Sequence, residues 1–346
     1  MGRENRKGIA ELKKTKIKLK KIDDSSLVIE RKRRGRGFAY FDASGKKISS
    51  PEQLRRLKKI VIPPMWSEVK ICELDEGHIQ AIGRDAKGRK QYIYHSEWER
   101  RQQEMKFSRM IEFGKLLPKV RKQCEKDLGK RGWKREKVIA LMVSLLDEYG
   151  IRVGNSYYAK QNQSYGLTTL RKKHLKSDGR KLQFNFNGKS GQEQSVTIED
   201  DALVKHIQKA VELPGYEIFR YMDDAGKTRT VDSQEVNEYI YNILGDDFSS
   251  KDFRTWAGSR LALELYPVAV EQKETSSRKK IENILIRLVA DELGNTPSVC
   301  RTYYVHPKIA ERIETGSVPV RNPYKDSSLS YGLTAEEKLL LSLLEE

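Results

Sequence analysis

Two hydrophobic periods divide this chain, and each dictates a different kind of layer. From Leu27 to about Trp98 the apolar residues come in short runs separated by turn-forming residues. Leu27-Val-Ile-Glu-Arg31 predicts one strand and Phe38-Ala-Tyr-Phe41 another, the second stopped by Asp42-Ala-Ser-Gly45. Ile79–Gly83 and Gln91–Tyr94 flank Asp85-Ala-Lys-Gly88, which predicts a hairpin. Between these pairs, Ser50-Pro51-Glu52-Gln53 has an N-cap serine followed by proline at the first helical position, the opening of a short helix.

Beyond Trp98 the period lengthens to 3.6. Val138, Leu141, Met142, Leu145 and Leu146 share one helical face that stops near Gly150. Ile281, Ile284, Leu285, Leu288 and Val289 do the same, with Gly294 as the stop. Helices are also expected at about 201–211 and 232–244, and Thr334-Ala-Glu-Glu337 is a capping box opening a terminal helix. One island of alternation interrupts this half. Leu182, Phe184 and Phe186 face one side, Asn187-Gly-Lys-Ser-Gly191 turns, and Val196 and Ile198 return as a β-hairpin. The fold class is therefore α+β. A basic arm over 1–21 precedes a small β-rich N-terminal domain over 22–99 and a mainly helical domain over 100–346, with the charged stretch Glu97–Lys106 as linker. The arm is expected to be disordered, or ordered only on DNA.

Charge narrows the function. Lys and Arg number 67 against 49 Asp and Glu, a net +18 that attracts polyanions. Nucleic acid is the leading partner and anionic membrane the runner-up. No apolar run approaches the roughly 18 residues a spanning helix needs, and the first residues lack a signal-peptide apolar core. Cys72, Cys124 and Cys300 make neither a CxxC pair nor a disulfide framework, which suits a reducing cytoplasm. The histidines at 78, 95, 174, 206 and 306 show no zinc spacing, so no metal site is expected.

The chemistry gathers in the last third. After a strong helix the chain reads Gly294-Asn-Thr-Pro-Ser-Val-Cys-Arg-Thr-Tyr-Tyr-Val-His-Pro307, where Thr296-Pro297 restarts a short helix ending near Tyr304. A phenol among arginine and asparagine in a basic protein is a candidate nucleophile toward a phosphodiester; Tyr303 and Tyr304 both qualify. Arg152, Lys189, Arg254 and Asn295 stand out with them. Singly, each has an ordinary reading: a core aromatic, a salt bridge, a solvated turn or a helix end. The acidic pairs Asp200-Asp201, Asp223-Asp224 and Asp246-Asp247 read as caps and turns. Gly188-Lys189-Ser190 has the tail of a P-loop, but Gln183 stands where its leading glycine belongs, and the flanks are strands. Arg31-Lys-Arg-Arg-Gly-Arg36 reads as a phosphate-binding surface.

Taken in order, several phrases resemble the type IB DNA topoisomerases, in particular the small poxvirus-like and bacterial branch. They are Arg152-Val-Gly-Asn155, Tyr165-Gly-Leu-Thr-Thr-Leu170 with Lys173-His174, Gly188-Lys189, Lys251-Asp-Phe-Arg254-Thr255, and Asn295-Thr-Pro-Ser-Val299 followed by Tyr304. Ile62-Pro-Pro-Met-Trp66 and Gly83-Arg-Asp-Ala-Lys-Gly-Arg-Lys-Gln-Tyr-Ile-Tyr94 extend the likeness to the N-terminal half. It runs from about residue 25 to 320.

The resemblance implies a catalytic domain of the tyrosine recombinase/type IB topoisomerase type, and reversible single-strand breakage through a 3′-phosphotyrosyl intermediate. It implies Tyr304 as nucleophile, Arg152, Arg254 and Asn295 as donors to the phosphate, Lys189 as general acid and Lys251 in support. A phenol with pKa near 10 needs such neighbours, because phosphoryl transfer is chiefly positioning and electrostatics. Neither ATP nor a metal cofactor is implied. The chain departs from poxvirus and eukaryotic members at Asn295, where they carry histidine and the bacterial branch asparagine. For DNA holding, the resemblance points to Arg89, Lys90, Gln91, Tyr92 and Tyr94 on the hairpin and to Tyr158. It implies a monomer clamping duplex DNA, working in the cytoplasm at the nucleoid. Two rivals are a tyrosine recombinase, which usually carries His-x-x-Arg where this chain has Lys251-Asp-Phe-Arg254, and a non-catalytic nucleic-acid-binding protein.

Overall fold

The computed structural model describes residues 18–275 and 280–346, so most of the basic arm, residues 1–17, lies outside the described residues. The chain folds as two compact units, Met1–Met105 and Lys106–Glu346.

The first unit is built on an antiparallel sheet. Strands β1 (Ile29–Arg34) and β2 (Gly37–Phe41) form a hairpin; helix α1 (Pro51–Lys59) follows, then β3 (Ser67–Ile71), β4 (Ile79–Arg84) and β5 (Lys90–Tyr94). The strand order is β2-β1-β3-β4-β5. Ser50 caps α1 by accepting from the Gln53 amide, and Pro51 sits in its first turn. Leu57 of α1 packs with Ile29, Tyr40, Val69, Ile71 and Ala81 in a small core.

The basic run beginning at Arg31 is not a uniform phosphate surface. Arg31 is buried and donates to the carbonyls of Ile62, Pro63 and Trp66, each at 3.0 Å, with its guanidinium 4.1 Å from the Phe38 ring centroid. Strand alternation turns it inward, and three carbonyls of the Pro63-Pro64 loop satisfy it. Arg33, Arg34 and Arg36 remain exposed.

The charged stretch Glu97–Lys106, in which the boundary between the two units falls, is helical. It lies within helix α2 (Ser96–Ser108), where Glu97 pairs with Arg100 at 2.6 Å and with Arg101 at 3.1 Å, three and four residues on. Charges at those spacings support a helix with no apolar stripe.

In the second unit, α3 (Met110–Leu128), α4 (Arg135–Tyr149) and α5 (Ser156–Asn162) precede the three-stranded sheet β6 (Leu175–Ser177), β7 (Leu182–Asn187) and β8 (Glu193–Ile198). Helix α6 (Asp201–Glu212), the ribbon β9 (Arg220–Met222) and β10 (Thr228–Thr230), and α7 (Ser233–Leu244) follow. The chain then runs through α8 (Ser250–Glu264), α9 (Tyr266–Thr275), α10 (Ile281–Leu293), α11 (Pro297–Tyr303), α12 (Pro307–Glu314) and α13 (Ala335–Glu345). This gives a mixed fold with thirteen α-helices among the described residues. Helix α4 buries almost every side from Val138 to Leu146, and α8 buries every residue from Asp252 to Ser259. Helices apolar or packed all round are central helices, and here they carry the site: α4 ends just before Arg152 and α8 holds Arg254.

Candidate active site

Arg254 is almost fully buried, 5% exposed, in the middle of α8. Its guanidinium donates to the carbonyl of Gly150, and to that of Leu293 at 3.1 Å. These carbonyls lie at the C-terminal ends of α4 and α10, where backbone acceptors lack helical partners and the dipole favours a cation. Both helices are closed by glycines in the left-handed region, Gly150 at φ 61° and Gly294 at φ 56°. Two stop signals readable in the sequence thus create the seat for one arginine. Its Nε is buried with no hydrogen-bond partner among the described residues. Burial first, then the nearby Arg152 charge, pushes the guanidinium down to about 10.

Arg152 lies in the connection between α4 and α5. Its carbonyl accepts from the Leu167 amide at 2.8 Å, and the Val153 carbonyl from the Thr168 amide at 2.7 Å. That tie explains the Tyr165-Gly-Leu-Thr segment physically. A Cβ on Gly166 would sit 2.4 Å from the Arg152 carbonyl oxygen and 2.7 Å from Gly154, so only glycine lets the two backbones meet. The Arg152 guanidinium donates to the side-chain oxygen of Asn295. The Asn295 amide nitrogen donates to the Leu293 carbonyl at 3.3 Å. Asparagine thus holds Arg152 with its oxygen and keeps a second N–H for another acceptor, a dual use that sequence reasoning missed.

Tyr304 closes α11, leaving the helix at φ −123° with its amide bonded to the Cys300 carbonyl. It is half-buried, whereas Tyr303 is 38% exposed. The Tyr304 ring centroid lies 5.0 Å from the Arg254 guanidinium carbon. Burial pushes the phenol up, but Arg254, Arg152 and Lys189 pull it down more strongly, and the net is below the usual tyrosine value. Cys300, one turn earlier, is pushed by burial up to about 11 and stays a thiol.

Lys189 is exposed at the tip of the β7–β8 hairpin, in a turn over Lys189–Gly191. The hairpin is fastened at its turn end, next to Lys189, by the Tyr165 amide to the Asn187 carbonyl and by Ser164 Oγ to the Gly188 carbonyl, both at 2.8 Å. Gln194 of β8 donates to the Gly294 carbonyl at 3.3 Å, beside Asn295. Lys251 is exposed in the first turn of α8, one turn before Arg254. His306 is a neutral cap: its Nδ1 accepts from the Lys308 amide at 3.1 Å, and burial pushes it down to about 4. It supplies no positive charge in place of the absent histidine at 295. Two of the acidic pairs do structural work: Asp200 caps α6, and Asp223 accepts from the Lys227 amide in a turn. Among the described residues no three His, Cys, Asp or Glu side chains gather as a metal set.

Residues 95–323 match the family described as eukaryotic DNA topoisomerase I, catalytic core, and residues 37–85 match the bacterial DNA topoisomerase IB N-terminal domain. The chain belongs to the type IB DNA topoisomerases. It is 33% identical over 284 residues to DNA topoisomerase 1B of Acanthamoeba polyphaga mimivirus, covering 80% of this chain and 84% of that protein. DNA topoisomerase 1B of vaccinia virus (strain Copenhagen) is 23% identical over 235 residues, covering 67% and 72%. DNA topoisomerase 1 of rabbit fibroma virus is 22% identical over 264 residues, covering 74% and 80%.

The expected DNA contacts of this topoisomerase are unevenly available. Tyr92 and Tyr94 stack on one face of β5, centroids 5.9 Å apart, 39% and 37% exposed, with Lys90 over the Tyr92 ring at 5.2 Å. Lys90 also pairs with Asp24. Arg89 and Gln91 are committed to Asp85, at 2.6 Å and 2.9 Å, where they brace the hairpin turn. Tyr158 is 49% exposed on α5, edge-on to Tyr157. No helix among the described residues is long and apolar enough to cross a membrane.

Proposed function

We propose that this topoisomerase relaxes supercoiled duplex DNA by reversible transesterification at Tyr304, within a catalytic domain of the tyrosine recombinase/type IB topoisomerase type. The phenolic oxygen attacks the scissile phosphorus. A P–O(Tyr) bond forms and the P–O5′ bond breaks. The phenolic proton passes to solvent, and the leaving 5′-oxygen takes a proton from Lys189. Arg152 and Arg254 stabilise the non-bridging oxygens, and the free Asn295 N–H donates to one of them. The unpartnered Arg254 Nε supports this assignment, since a phosphate oxygen would satisfy it. Lys251 supports the same phosphate from the first turn of α8. One phosphoester replaces another of similar energy, so rejoining is the same step reversed and no nucleotide is consumed.

The observation that carries the reading is the Tyr304 ring seated 5.0 Å from the buried Arg254 guanidinium carbon, with Arg152 held on the adjoining Asn295. All these residues come from one chain, which supports action as a monomer. The exposed, parallel Tyr92 and Tyr94 rings, together with Tyr158, supply aromatic faces for the duplex. With those contacts in both units, we infer a monomer clamping DNA at the nucleoid. The test is relaxation of negatively supercoiled plasmid in EDTA without ATP. Wild type relaxes it, Tyr304→Phe does not, and Tyr303→Phe does. Loss in Tyr303→Phe with retention in Tyr304→Phe would reassign the nucleophile.

A further inference from the structure

We propose that Lys106 is a positioning residue for the nucleophile, holding the peptide that joins Tyr303 to Tyr304. The inference rests on the transesterification reading above but concerns a residue that reading does not use. Lys106 is in the last turn of α2, 197 positions from Tyr303 in sequence. Its ammonium donates to the Tyr303 carbonyl. That carbonyl belongs to the final residue of α11, one of the helix-end acceptors that lack an intrahelical partner and face the negative end of the dipole. The ammonium also lies over three rings, 4.5 Å from the Phe107 centroid, 5.8 Å from Tyr303 and 6.0 Å from Tyr304.

Among the described residues Lys106 is not held in a surface ion pair. Asp252, the acid that acts on it, is engaged by the Ser249 amide at 2.9 Å and by Arg109 at 3.6 Å. Burial pushes the Lys106 ammonium down to about 8, with Asp252 pulling the other way. A half-buried lysine held on a carbonyl and three rings is a fixed cation.

The next carbonyl, that of Tyr304, accepts from Ser259 Oγ at 3.2 Å, and the same hydroxyl accepts from the His306 amide at 2.9 Å. The two peptide planes flanking the nucleophile are therefore each held, by Lys106 before it and by Ser259 after it. Together they fix the direction in which the Tyr304 side chain leaves the backbone. Small displacements of a reacting atom cost rate steeply, so this clamp acts on the chemical step and not on DNA affinity.

The test compares Lys106→Met, Lys106→Gln and Lys106→Arg in single-turnover cleavage of a duplex, with DNA affinity and thermal midpoint measured on the same preparations. Lys106→Met is expected to cleave about 10-fold or more slowly, with unchanged affinity and salt dependence. Rejoining should slow in parallel, because both directions share one transition state. Lys106→Arg, which keeps charge and donor, should recover most of the rate. A substrate with sulfur at the 5′-bridging position should rescue Lys189→Ala but not Lys106→Met, since no proton to the leaving group is at stake.

Wild-type cleavage by Lys106→Met would overturn the proposal, as would sulfur rescue of it. So would a loss confined to affinity with a shallower salt slope, which would make Lys106 a phosphate contact. If Lys106→Met does not fold, the Gln and Arg variants decide: equal rates in both would overturn it. Failure of wild type to form the Tyr304 adduct would instead refute the underlying reading.

Discussion

Gly258→Ala tests the site where it is tightest. Gly258 is buried in α8, one turn beyond Arg254, and the backbone of Tyr304 rests against it. A Cβ added there would sit 2.7 Å from the Tyr304 Cβ and 2.8 Å from its carbonyl oxygen. Ordinary contact starts at 3.4 Å, so along the shorter line Tyr304 must retreat by about 0.7 Å. It cannot swing aside freely, because its carbonyl is bonded to Ser259 and its amide to Cys300. A shift approaching 1 Å between reacting groups costs up to about 100-fold. The expected loss in cleavage rate is therefore about 10- to 100-fold, or roughly 1.4–2.7 kcal/mol in the barrier.

Folding should survive. Overpacking costs about 1–3 kcal/mol, and alanine returns about 0.8–1 kcal/mol of helix propensity. Single-turnover formation of the covalent adduct on a trapping duplex reads the rate, and direct binding reads affinity. Gly129→Ala is the control, since its φ is −73° and the nearest atom is 3.5 Å away. Wild-type cleavage by Gly258→Ala, with normal binding, would refute the claim that Tyr304 is seated against α8 in the reactive state.

Two further outcomes follow from charge. Cleavage should rise with pH as the Tyr304 phenol ionises and level off below pH 10, because Arg254, Arg152 and Lys189 together outweigh burial; Arg152→Ala should move the plateau to higher pH, and an unmoved profile would remove Arg152 from the phenol's surroundings. Glu337 on α13 is fully buried, accepting from Arg121 at 2.7 Å and 2.8 Å and from the Trp256 indole at 2.9 Å. Glu337→Leu should cost about 3 kcal/mol, the low end for a broken buried pair because Asp147 still holds Arg121 at 2.7 Å, and lower the melting temperature by about 6–12 °C. Burial raises the Glu337 carboxyl, but Arg121 and the other donors hold it below its usual value. The stability it supplies is present above the unfolded carboxylate pKa of about 4.3 and lost as pH falls through the lower folded value. The stability lead of wild type over Glu337→Gln should therefore be full above about pH 4.3 and narrow as pH falls below it, and a difference that does not change with pH would count against the network.

What could be read from the sequence, and what could not, divides along the range of the interaction responsible. Ser50 with Pro51, the Thr334 box, the Gly150 and Gly294 stops and the 182–198 hairpin are local devices, each decided within a few residues, and each is present in the structure. Arg31 looked like surface because its neighbours are basic, yet its direction was set by a strand partner and a loop some 31 to 35 residues away. The Glu97–Lys106 stretch hid a helix because i+3 and i+4 ion pairs leave no apolar period to find.

The site follows the same rule. The five side-chain types were legible as types and in order, but their joint geometry is not a property of any segment. Arg254 is seated by the ends of two other helices, and Asn295 reaches Arg152 across 143 residues. Lys106 had no signal of its own, since a lysine amid charged residues reads as solvent-facing until the fold puts the last carbonyl of α11 beside it. A donor recruited to a helix end is chosen by where that end arrives, so such residues emerge from tertiary structure even when the candidate catalytic side chains are already named.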